Sequence, residues 1–345
     1  ASLRERLFNL SWERKFLDFY HKFFSIEEIE KTLPLQWFMG VMILFFYATF
    51  YKWIGTEIIT RRAYETNQYT CWPYFQNCGE WYFLQLPPDG YSQPILYMFF
   101  LGCMLLSVFL IWKREWLLAH LVLLPLWIWK VLVVFFLSGT YGSLDYYDIV
   151  LGFVFLFLPH KLFFLQIVFV IFYFLASTIK IHPSWIAGTY FSSLEGGIPF
   201  FKGVFVVIAT NFVIFSQMVV SWLLLLKKSA LQRIALIWFV IFHLYSGVLV
   251  YFRFPSVALP ALLVLFGPLY NKQEIPIDRK SVGGWSLVVL LFIFQFIAIA
   301  IPGDQKITLE GNNMGLFMFE ANHQCISTVE ISYQEGLLKE EKKEK

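Results

Sequence analysis

The feature that most constrains this chain is where Lys and Arg fall between its long apolar runs. The runs lie at 35–53, 94–112, 116–137, 146–158, 161–179, 203–226, 232–252, 256–270 and 283–302. Most hold about 17–24 residues, enough for an α-helix to cross a ~30 Å hydrocarbon layer. With the segment before the first run placed inside, the inner segments carry 15 Lys and Arg and the outer segments six. That bias follows the positive-inside rule. The expectation is an all-α membrane protein, a bundle of about eight to nine transmembrane helices with N-in/C-out topology.

Composition points the same way. A chain that is 58% hydrophobic and only 15% charged over 345 residues argues for one membrane bundle rather than two soluble domains. Residues 1–34 read as a cytoplasmic or interfacial amphipathic segment. Trp12, Phe16, Phe19, Tyr20, Phe23 and Phe24 recur there at three and four residues, which suits a helix on the inner leaflet or one packed on the bundle. The first apolar run begins too deep for a signal-peptide core and should stay as an uncleaved span. Residues 35–302 form the bundle, with a large outer loop at 54–92, and 303–345 form a periplasmic or lumenal tail. Within that tail 314–333 alternates like a short β-hairpin. Cys71, Cys78 and Cys325 fall on the outer, oxidising side, where three pairings are open. Cys71–Cys78 closes the shortest loop and is the expected disulfide, and Cys103 reads as a small core residue. No basic stripe outside the inner loops suggests a nucleic-acid partner, and no HExxH or paired-Cys signature suggests a metal.

Ionisable groups inside or at the ends of spans are costly to insert, so each needs a reason. Lys180 closes the fifth run. It is either a lysine snorkelling to headgroups or, because Ile181, His182, Pro183 and Trp185 keep the chain apolar, an amine held under a cap. Burial disfavours the ammonium form, and a neutral amine can act as a base near pH 7. His243, midway along the seventh run, is either a core hydrogen-bond partner or a pocket residue, with Tyr245 and Ser246 nearby. Arg253 is an interfacial anchor or faces an anionic group. Asp145 and Asp148 open the fourth run as helix-start acids, and Lys130 could pair with one of them. Asn211, Ser216, Gln217 and Gln295 suit interhelical hydrogen bonds.

Around Lys180 the sequence YFLASTIKIHPSWIAGTYFSSL resembles vitamin K-dependent γ-glutamyl carboxylases and the wider HTTM (horizontally transferred transmembrane) domain family. Ala176, Lys180, Trp185 and Gly188 match the motif in spacing. Phe242-His243, Arg253-Phe254-Pro255-Ser256 and VEISYQEG at 329–336 are similar to later family segments. The resemblance implies Lys180 as the base that deprotonates a reduced, vitamin K-like quinone. Trp185, Gly188, His243 and Arg253 would then shape its pocket. Those carboxylases carry a large lumenal domain after the bundle, whereas 43 residues follow position 302 here. Quinone chemistry is therefore expected without carboxylation of a peptide Glu. The competing expectation is a non-catalytic membrane subunit or scaffold that binds a protein partner through its outer loops and tail. Membrane lipids are partners in either case. Phe-, Ile- and Lys-rich usage and the lack of an outer glycosylation sequon favour a bacterial inner membrane over the endoplasmic reticulum.

Overall fold

The computed structural model of the chain describes residues 11–55, 77, 80, 92–136, 143–193, 198–227, 229–249, 254–297 and 315–316. An apolar chain must satisfy its backbone N–H and C=O groups internally. Accordingly, 82% of the described residues are helical and none lies in a strand. The helices are α1 (Ser11–Phe23), α2 (Ile26–Lys31), α3 (Leu33–Gly55), α4 (Ser92–Trp112), α5 (Trp116–Phe136) and α6 (Ser143–Phe157). After them come α7 (Lys161–Thr178), α8 (Pro183–Ile186), α9 (Val204–Met218), α10 (Ala230–Leu249), α11 (Pro255–Phe266) and α12 (Val282–Ile297). Short 3₁₀ turns cover Thr189–Ser193, Val220–Leu225 and Arg279–Ser281.

Six of these segments are long and apolar enough to cross a membrane: Leu33–Phe50, Trp116–Phe136, Lys161–Thr178, Val204–Leu225, Ala230–Leu249 and Arg279–Ile297. They are compatible with an integral membrane protein. Tyr97–Trp112 and Pro255–Phe266 are shorter apolar helices. The expected tail hairpin lies outside the described residues except for Gly315 and Leu316, and of the loop 54–92 the structure describes Ile54, Gly55, Asn77, Glu80 and Ser92.

The centre of the bundle is α7, which packs against α3, α6, α9, α11 and α12. Both its ends are fastened by charged side chains. At its start, His160 turns the chain in the left-handed region, at φ 53°. The Glu28 carboxylate accepts hydrogen bonds from His160 N at 2.9 Å and Lys161 N at 2.8 Å. An acid at a helix N-terminus also meets the favourable end of the helix dipole. Lys161, fully buried, donates to the carbonyls of Phe155 (2.8 Å), Leu156 (3.4 Å) and Leu158 (3.0 Å) and so closes the end of α6. Beside this junction, His160 Nε2 lies 3.0 Å from Asp278, whose carboxylate accepts from Ser281 N at the start of the last helical segment. Burial alone would raise the Asp278 pKa. The hydrogen bonds from His160 and Ser281 outweigh it and hold the acid below its ordinary value, so the cap stays charged.

Helix α1 has a buried face and an exposed one. Leu17 and Tyr20 of α1 are buried against the bundle. Tyr20 donates its hydroxyl to His120 Nδ1 at 2.8 Å, while His120 Nε2 donates to the Leu156 carbonyl at 3.1 Å. Trp12, Phe16, Phe19 and Phe23 lie three or four residues apart, and all four are exposed.

Close helix approach depends on a few glycines. At Gly284 an added Cβ would lie 2.2 Å from the Phe164 ring, and Phe164 is fully buried. At Gly40 nothing stands within 4 Å. Gly284→Ala should destabilise the bundle by about 1–3 kcal/mol through overpacking, while Gly40→Ala should leave it unchanged. Thermal unfolding of the two variants side by side checks this, and equal melting temperatures would contradict the packing.

Candidate functional site

Thr178 is the last residue of α7, and the turn that follows keeps its polar groups on the backbone. Lys180 N donates to Ser177 O at 3.0 Å, and Ile181 N to Thr178 O at 3.2 Å. The Lys180 side chain folds back over the helix end, with Nζ donating to Ala176 O at 2.7 Å. A cation there suits both the free carbonyls and the dipole of a helix C-terminus. Lys180 is only 4% exposed, which fits an amine held under a cap rather than one snorkelling to headgroups.

The cap is α8. His182 opens it, its Nδ1 accepting from Ser184 N at 3.2 Å, and Pro183 takes the first helical position, where the missing N–H costs nothing. Trp185 is buried, and its ring centroid lies 5.6 Å from Lys180 Nζ, within cation–π reach. Trp185 Nε1 donates to Thr210 O at 3.0 Å, and Asn211 Nδ2 donates to Ile186 O at 2.8 Å, so α8 is pinned to α9. Gly188 completes the turn at φ +75°, and a Cβ there would meet Val206 Cγ1 at 2.8 Å. Glycine answers both demands, the left-handed backbone and the close approach of α9.

His243 is fully buried on α10, and its Nε2 lies 2.6 Å from the Tyr173 hydroxyl. Tyr173 in turn stacks on Phe239 at 4.1 Å between centroids. The neighbours expected to add polar groups turn elsewhere: Tyr245 to Pro199 O and Ser246 to His243 O. Arg253, Cys71 and Cys78 lie outside the described residues, so the anchor and the expected disulfide do too. Cys103 is half-buried and unbridged.

The pocket expected around Lys180, Trp185, Gly188, His243 and Arg253 extends to residues outside those described. A small cavity nearby, about 20 Å³, is lined by Tyr147, Tyr173, Ala176, Gln217, Phe254 and Leu316 among others. Lys180 and His243 connect to it through their hydrogen-bond partners, Ala176 and Tyr173. Lys180 and Trp185 each donate to a backbone carbonyl, of Ala176 and Thr210. Tyr147 and Tyr173 do not stand out in the sequence, because one tyrosine among 18 in an aromatic-rich chain carries no signal. Gln217 was read as interhelical glue.

A second polar cluster lies between α3, α5 and α6. Lys130 Nζ pairs with Asp148, sits 3.5 Å from Asp145 and donates to the Thr49 hydroxyl. All four residues are buried. The pairing of Lys130 with the helix-start acids was legible in the sequence, and the structure extends it to both of them. Among the described residues no group of three His, Cys, Asp or Glu could hold a metal ion.

No protein-family model, curated protein or solved structure matches the chain. The fold and site therefore define its class: an all-helical bundle with membrane-length helices and a buried lysine beneath an aromatic cap. For the ion cluster, Lys130→Met should cost about 3–5 kcal/mol, because it strands buried carboxylates. Adding Asp148→Leu should recover part of that loss. Denaturation of the single and double variants measures it, and a double variant less stable than Lys130→Met alone would refute the pairing.

Proposed function

We propose that this is a carboxylase-like integral membrane protein that handles a reduced quinone, with Lys180 as the proton-accepting group. The observation that carries the reading is Lys180 buried at the end of the central helix, capped by Trp185 and Gly188 in the spacing of the resembled motif. An amine in such a place is of use as a base, whereas an arginine there would stay charged.

The described cavity takes nothing larger than about one water, so a quinone ring does not fit it. The reading therefore places the ring on the lipid side of the cap, where Ile181, Ile186, Val204 and Phe205 are exposed. His243 then acts at one remove, through Tyr173. The proposed topology is N-in/C-out with nine crossings, the shorter apolar helices included, in a bacterial inner membrane. Cysteine labelling at Gln85, Ala230 and Glu340 tests it: Ala230 should be protected from an outside reagent and the other two labelled. A protected Glu340 would overturn both the topology and the site's placement.

The enzymatic reading is tested on Lys180. Lys180→Ala and Lys180→Arg should both fold, and both should lose oxidation of a reduced naphthoquinone by O₂ by a factor of about 100 or more, the size of a general base's contribution. Wild-type protein without turnover, together with a silent Lys180→Arg, would sink the reading and leave a non-catalytic scaffold that meets a protein partner at its outer face.

A further inference from the structure

We propose that the cavity between α6, α7, α9 and α11 binds one water molecule, which joins Tyr147, Gln217 and the Tyr173–His243 pair into a hydrogen-bonded chain through the apolar core. The cavity is about 20 Å³, and a water needs roughly 10–15 Å³ together with two to four polar partners. Two such partners are buried there and have no hydrogen-bond partner among the described residues: the Tyr147 hydroxyl and Gln217 Oε1. Each residue is only 2% exposed. The third is Tyr173, which lines the same cavity.

The donors and acceptors around the water can be matched. With the Tyr173 hydroxyl donating to His243 Nε2 across their 2.6 Å contact, a lone pair on Tyr173 stays free to accept. The Tyr147 O–H donates to the water, and the water donates one hydrogen to Gln217 Oε1 and the other to Tyr173. In this arrangement His243 carries its proton on Nδ1, which has no hydrogen-bond partner among the described residues. The rest of the wall is apolar, formed by side chains such as Phe169, Phe172 and Phe254. A dissolved gas or lipid tail would fill the space but leave both polar atoms unsatisfied. Leu316 lines it too, its backbone N held by Gln295 Oε1 at 2.8 Å. Neighbouring water sites in lipid-exposed bundles serve the same purpose of re-satisfying polar groups.

The water site stands apart from the reading of Lys180, and its test needs no turnover. In the purified full chain, Tyr147→Phe and Gln217→Leu should each lower the melting temperature, and the double variant should lose less than the two shifts combined. A dry cavity gives the opposite result, since each substitution then removes an unsatisfied polar atom and the melting temperature rises or holds. Radiolytic labelling in H₂¹⁸O is the second measurement and decides the matter if a variant fails to fold. Tyr147 and Tyr173 should take up ¹⁸O several-fold faster than Tyr20 and Tyr270, which are buried to a similar degree. Uptake at the same rate as those two would overturn the proposal.

Discussion

Helix ends that water cannot reach govern this architecture. Each α-helix leaves four carbonyls unsatisfied at its C-terminus, and in an apolar setting they must find donors within the protein. Two buried lysines answer that need at opposite ends of α7. Lys161 gives its three donors to the closing carbonyls of α6, and Lys180 turns back onto α7 itself. The same amine therefore belongs both to the structure of the helix end and to the candidate site. That dual role explains why the Lys180 side chain folds back onto the end of its own helix.

Much of the fold was legible because apolar length and charge placement are one-dimensional properties. Helix α7 falls almost wholly within the run 161–179, and the first, third and seventh runs likewise meet α3, α5 and α10. The Lys130–Asp148 pair was also legible, since so few ionisable residues occur inside the spans that their partners are nearly forced. What escaped were contacts fixed by how helices rotate about their axes. Tyr173 meets His243 because α7 and α10 turn those faces together, and nothing in the spacing of either segment says so. The contacts of Lys180 and Trp185 escaped for a related reason: their partners are backbone carbonyls at the helix end and on α9, which no side-chain pattern reveals.

The cap and the core cavity divide the site into two chemically different halves. At Lys180 the amine donates to the Ala176 carbonyl, a group that can hold an ammonium but passes no proton onward. Around Tyr173 they are hydroxyl, imidazole and amide, groups that can both give and receive. Ala176 touches both halves: its carbonyl accepts from Lys180, and the residue lines the cavity.

The aromatic stripe of α1 has a consequence at the far end of the molecule. Because Leu17 and Tyr20 lock α1 to the bundle while Trp12, Phe16, Phe19 and Phe23 face outward, a bilayer surface that settles on those rings has its level fixed relative to the helices. An exposed Trp and Phe face of this kind suits the headgroup boundary, and on the proposed membrane reading this end would work as a depth gauge. A change in bilayer thickness would then be shared unequally between the two leaflets. The mismatch would be taken up mainly at the opposite end, where α8 covers Lys180, and lipid composition would become a determinant of how deeply that amine lies.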